Sequence, residues 1–258
     1  MSSEFVRADR DGDVITITLD RPEKRNALAL DVMVELTAAF EEAGRSDATA
    51  VVLAATGPVF SAGHNFGDMA GADLAQARRL FEVCRQMMDA VQSIPQPVIA
   101  RVHALATAAG CQLVATCDLA VAAESAGFAI PGGKGGLFCH TPLVAVARNI
   151  GRKRALEMAL TGDVIDAPTA ADWGLVNRVV ADDELDGAVA DLARRASRGS
   201  ALSKALGKRG FYAQVDLDQG KAYDFATELM ASAAMIDDAQ EAFSAFLEKR
   251  KPTFTQRP

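Results

Sequence analysis

A chain of 258 residues, half of them apolar and 24% charged, is long enough for one large domain with a substantial core and too apolar for extended disorder. Its formal net charge of −7 gives no overall attraction to nucleic acid or to an anionic membrane surface, so an anionic ligand must be held by local positive charge. No apolar run reaches bilayer-spanning length, and Met1–Arg7 lacks the apolar stretch of a secretory signal, so a cytosolic protein without membrane insertion is expected.

In chain order, Val14–Leu19 is β-branched and puts Ile15, Ile17 and Leu19 on one face, as in a half-buried strand. Asp11-Gly12 before it is a hairpin signal toward a strand near Phe5-Val6. From Leu28 to Ala43 the apolar spacing becomes helical, with Gly44 as the expected stop. The alternation then repeats. Ala50–Leu53 reads as a strand before a helix at Leu74–Val91, Pro97–Val102 as a strand before a helix at Ala108–Thr116, and Leu119–Ala122 as a fourth strand. Strand-helix repetition predicts mainly parallel strands with right-handed crossovers, an α/β body.

After Pro142 the pattern turns helical, punctuated by Gly and Pro: Leu143–Ile150, Arg154–Leu160, a short piece before Gly174, then Asp183–Ser197, Leu202–Ala213, Asp218–Ser232 and Asp238–Arg250. A core over residues 1–195 and a helical C-terminal region over 196–258 is the expected organisation. The four cysteines, Cys84, Cys111, Cys117 and Cys139, form no C-x-x-C pair and have no histidine at metal-ligand spacing, so reduced, mostly buried thiols are expected.

Two small-residue segments, Phe60–Asn65 and Ala106–Gln112, fall beyond the carboxyl ends of predicted parallel strands, where open α/β sheets place ligands. Ala62, Gly63, Ala108, Ala109 and Gly110 allow close approach to the backbone, and first-turn N–H groups of a helix favour negative charge. Either segment alone reads as a tight strand-helix junction; the pair reads as a candidate oxyanion hole.

The set Arg21–Leu28, Phe60–Asn65, Gly110–Leu113 through Cys117-Asp118, Leu160–Asp163 and Ala245–Pro252 resembles successive motifs of the crotonase, or enoyl-CoA hydratase/isomerase, superfamily over nearly the whole chain. The resemblance implies a crotonase-type spiral of ββα units with a helical C-terminal trimerisation region, and assembly as a homotrimer or hexamer. It also implies an acyl-CoA ligand whose thioester oxygen meets the backbone N–H groups of His64 and Ala109. Arg25, Ala27 and Ala62 are implied near the adenosine and phosphates, with Phe246 and Lys249 reaching in from the C-terminal helix. Coenzyme A is part of the substrate, and neither a metal nor a redox cofactor is implied.

The chain departs from a hydratase where acid–base chemistry belongs. Members that hydrate enoyl thioesters use two glutamates; Gln112 and Gly132 stand at the matching positions. A carboxamide can position water but is no base near neutral pH. Phe128–Cys139 instead resembles a hydratase-domain-containing subgroup. Isomerisation, decarboxylation and thioester hydrolysis all develop charge that an oxyanion hole stabilises, and a noncatalytic acyl-CoA-binding protein is the alternative. Cys139 beside His140 is a nucleophile only if its thiolate is stabilised, with an inert buried thiol favoured. Asp68 is expected to cap a helix and His103 to be structural.

Overall fold

A computed structural model describes residues 4–255. The chain opens with the hairpin β1 (Val6–Asp11) and β2 (Val14–Leu19), turned at Gly12, whose φ of +56° suits a residue without Cβ. Then come α1 (Leu30–Arg45), β3 (Ala50–Ala55), α2 (Leu74–Ser93), β4 (Val98–Val102), β5 (Ala106–Thr107), α3 (Ala109–Thr116), β6 (Leu119–Ala123) and β7 (Gly127–Ala129). The later part carries α4 (Gly132–Gly135), α5 (His140–Ile150), α6 (Arg152–Thr161), β8 (Ile165–Asp166), α7 (Ala167–Trp173), β9 (Arg178–Val180), α8 (Leu185–Ala196), α9 (Ala201–Gln214), α10 (Gln219–Ala233) and α11 (Asp237–Leu247).

The main sheet runs β1-β2-β3-β4-β6-β9, antiparallel only at the first pair and parallel from β2 onward. A second sheet, β5-β7-β8, has three very short strands. Val51 and Leu53 of β3 face the large core with Leu36, Phe40 and Met87, while Ala50 and Val52 face Leu185 and Val189 of α8. Burial on both faces explains why β3 reads as a continuous apolar run rather than an alternating one. Each of the fully buried Leu36, Phe40 and Leu53 side chains contributes about 1.5–3 kcal/mol by leaving water.

The mixed α/β architecture and parallel order match the sequence expectation; two local features differ. Gly44 does not stop α1, which continues to Arg45: a Cβ there would lie 2.7 Å from Cγ2 of Ile94, so this glycine lets the segment after α2 approach. The strands β5, β7, β8 and β9 were not expected, being two or three residues long and set among Gly and Pro signals. Among the described residues no helix is long and apolar enough to cross a membrane.

Candidate functional site

The site begins with a buried asparagine. Arg25 and Asn26 follow a short 3-10 turn (Pro22–Lys24) and both adopt left-handed backbone, with φ of 54° and 49°. Asn26 is 1% exposed; its Oδ1 accepts from the Arg21 N–H at 2.9 Å, and its Nδ2 donates to the carbonyls of Thr56 and Val59 at 2.7 and 3.1 Å. A carboxamide fits because the site needs one acceptor and two donors from one planar group.

Around this anchor the two small-residue segments become strands of a short parallel ladder. Ala62 N–H donates to Arg25 O at 3.0 Å and Leu28 N–H to Gly63 O at 2.8 Å; Ser61 Oγ donates to Asn26 O at 2.8 Å and accepts from Gly63 N–H at 3.2 Å. On the other side Phe60 N–H donates to Leu105 O and Thr107 N–H to Ser61 O, and β5 pairs in turn with β7. Arg25, Ala27, Ala62 and His64 are thereby held together.

Two glycines interlock the segments. A Cβ on Gly63 would lie 2.8 Å from Cβ of Ala108 and 3.1 Å from the Ala109 nitrogen, and one on Gly110 would lie 2.6 Å from Ser61 O. Ala108, between strand and helix, has φ 51° and ψ −118°, a conformation strained for a residue with a Cβ. It starts α3 at Ala109, whose N–H is the first of the helix and has no intrahelical acceptor. The bridge between Leu28 and His64 uses the Leu28 and Asn65 amides and leaves the His64 N–H outside the ladder. Neither amide has a backbone acceptor among the described residues, and Ala109 is fully buried. An orphaned buried donor is rare and costly, and such exceptions are found where function needs them.

Side chains complete the surroundings. The His64 ring meets Phe81 of α2 edge-on, with centroids 5.4 Å apart, and its Nε2 is buried without a partner. Burial pulls its pKa down to about 4, against the opposing pull of Asp68, so the imidazole is neutral at pH 7. Gln112, one turn into α3, is 6% exposed with Oε1 unpartnered. Asp68 caps a helix as expected, but a distant one rather than the 3-10 turn Phe66–Asp68 that it ends: Oδ2 accepts from the Leu30 N–H of α1 at 3.0 Å, and Oδ1 from Asn65 Nδ2 at 3.3 Å.

Gly132 begins α4, and a Cβ on it would lie 2.2 Å from Leu137 O and 2.5 Å from Cys139 Sγ. The 132–139 loop thus folds onto the place where a side chain would leave. Cys139 is half-buried, and burial pushes its thiol up, opposed by a hydrogen bond from the Gly132 backbone. His140 is exposed and its ring packs on Phe138; among the described residues no imidazole bonds the thiol, whose environment favours the inert form. All four cysteines are free; Cys84 and Cys111 are pushed up to about 12 by burial. His103 Nε2 bonds Gly57 O at 2.8 Å, a structural contact. Among the described residues no cluster of metal-ligating side chains exists.

Phe246 and Lys249 lie at the end of α11, where Phe246 is 82% exposed and Lys249 is exposed with φ 55°. The contacts that gather Arg25, Ala62, His64 and Ala109 do not include them. Two hydrogen-bond anchors were passed over in the sequence: Ser61, a polar side chain inside a small-residue, apolar segment that could have marked it, and Asn26, which follows the charged run Glu23-Lys24-Arg25 and carried no such signal.

The model of the enoyl-CoA hydratase/isomerase family matches residues 9–257. Human mitochondrial enoyl-CoA hydratase domain-containing protein 3 is 42% identical over 94% of this chain and 80% of its own. The zebrafish (Danio rerio) protein of that name is 40% identical over 98% and 89%. Among solved structures, an enoyl-CoA hydratase from Mycobacterium smegmatis superposes with a TM-score of 0.93 at 46% identity, over 96% of this chain and 98% of the other. The crystal structure of the human protein gives 0.93 at 40% identity, over 97% and 100%. The vertebrate relatives are named mitochondrial, which overturns the cytosolic expectation; reduced thiols and an unremarkable first heptapeptide do not separate the two compartments. The chain belongs to the enoyl-CoA hydratase/isomerase family, with the crotonase fold and its hydratase-domain-containing members as relatives.

Proposed function

We propose that this chain binds a fatty or related acyl-CoA thioester whose carbonyl oxygen accepts hydrogen bonds from the backbone N–H groups of His64 and Ala109. The observation that carries the reading is the pair of unused amides, held side by side by the Gly63–Ala108 contact, one of them buried and starting a helix. Fixed donors aimed at a developing enolate or oxyanion stabilise charge without reorganising during reaction. Arg25 and Lys249 are exposed cations with no acidic partner among the described residues, which suits phosphate contacts, with Ala27, Ala62 and Phe246 against the adenosine part. Coenzyme A enters as part of the substrate, and the reading requires no other cofactor.

Efficient hydration is not part of this function. Gln112 offers a carboxamide, His64 is neutral, and at Gly132 the loop carbonyl of Leu137 occupies the exit of any side chain. The same three facts favour a second reading, a noncatalytic acyl-CoA-binding protein. Assembly as a trimer or hexamer through the helical region 196–258 is supported by exposed apolar side chains there: Met230 (72% exposed), Met235, Phe246 and Leu247.

Calorimetric titration with enoyl-, 3-hydroxy-, malonyl- and saturated acyl-CoAs, followed by mass spectrometry of the mixtures, is the test. Saturable binding of at least one thioester is expected. Product separates the enzyme from the binding protein, and the absence of binding by every thioester contradicts both.

A further inference from the structure

The C-terminal helix α9 crosses the amino ends of β4 and β6 over a cavity of about 370 Å³, lined by Pro95, Pro97, Leu119, Phe211, Lys204 and the Asp118–Lys208–Tyr212 group. Its size falls within the range of small-molecule sites. It lies at the far end of α3 from Ala109: α3 is eight residues long, all buried, and Asp118 follows its last turn. Eight residues rise about 12 Å, so this cavity is distinct from the candidate site.

The floor is internally satisfied. Lys208 Nζ lies 2.7 Å from Asp118 Oδ2 and donates to the carbonyls of Val91 and Gln96 at 2.9 Å each. Asp118 Oδ1 accepts from Tyr212 OH at 2.8 Å, and Oδ2 also accepts from Val98 N–H at 2.7 Å. Lys208 has therefore spent its three protons and Asp118 its charge. The remaining charge on the wall is Lys204, half-buried, whose Nζ has no hydrogen bond or ion pair among the described residues. Burial lowers its pKa, the mark of an ammonium left without compensation.

We propose that this cavity is a second ligand site, taking a small organic anion with an apolar body, its carboxylate on Lys204 and its hydrocarbon against Pro95, Pro97, Leu119 and Phe211. The carboxylate supplies the counter-charge that the fold does not, and the lining residues other than the floor offer carbon rather than hydrogen bonds.

Octanoate is the probe, titrated calorimetrically into the full chain, with octylamine as the charge-reversed control. Saturable octanoate binding is expected in wild type and no binding of octylamine. Lys204→Met should weaken octanoate at least tenfold, Lys204→Gln likewise, and Lys204→Arg should restore it. A saturating acyl-CoA that binds the chain should leave octanoate affinity unchanged, which separates this site from the acyl-CoA site. Absence of saturable binding, equal affinity in wild type and both neutral variants, or displacement of octanoate by that acyl-CoA would overturn the proposal.

Discussion

Gly63 and Ala109 stand so close that a methyl group on the first would lie 3.1 Å from the amide nitrogen of the second, and 2.9 Å from the carbonyl of Thr107. The segment after β3 and the start of α3 are therefore one unit. Gly63→Ala must move Ala108 and also strain a backbone at φ +82°. A loss of about 1–3 kcal/mol is expected in urea unfolding, with weakened acyl-CoA binding in whatever remains folded. Unaltered binding by this variant would separate the two amides from the ligand.

Asn26 should be the most sensitive polar side chain of the site. Asn26→Ala removes three hydrogen bonds and leaves the Arg21 N–H and the Thr56 and Val59 carbonyls without it. About 2–4 kcal/mol of stability should go, since buried groups left unpaired cost more than the bonds themselves return. Denaturant melts against Ser61→Ala, which loses one donor and one acceptor, give the comparison.

His64 predicts a pH dependence. Its pKa falls from about 6.5 unfolded to about 4 folded, so folding favours the neutral ring. Stability from this group is full above pH 6.5, declines as pH falls toward 4, and is flat below. The decline should be roughly 2–3 kcal/mol and should shrink in His64→Phe, measured by urea midpoints at pH 7, 5.5 and 4.5.

Much of the architecture was legible because burial on both faces gives apolar runs and caps give sharp helix ends; α8 through α11 fall within a few residues of their expected spans. The short sheet β5-β7-β8 was not, since two-residue strands leave no periodicity and their pairing is set by segments distant in the chain. At the site, small residues revealed close approach, but not what approached. Gly132 looked like an empty position, whereas it is a filled one, closed by Leu137 and Cys139.

That closure sets the outcome for hydration. Wild type should add water to crotonyl-CoA at least ~10²-fold more slowly than a family member with both glutamates, as positioned acid–base groups contribute that much. Gln112→Glu alone should leave the rate low. Gly132→Glu should destabilise the chain, because its Cβ meets a carbonyl at 2.2 Å. Loss of enoyl-thioester absorbance and thermal melts read the two effects. Hydration by wild type at the rate of such a member would contradict this account.

For the phosphates, Arg25→Ala and Lys249→Ala should each weaken acyl-CoA binding about tenfold or more, as charge-assisted hydrogen bonds do. Calorimetry against the same thioester checks it, and affinity unchanged from wild type in both variants would remove the assignment.

The most direct measurement is the carbonyl stretch of a bound acyl-CoA labelled with ¹³C at the thioester carbon, by isotope-edited infrared difference spectroscopy. Two backbone donors at His64 and Ala109 polarise the bond more than water does, so the band should move to lower frequency on binding and move back in Gly63→Ala. A bound thioester whose carbonyl band stays at its solution frequency would contradict the oxyanion-hole account.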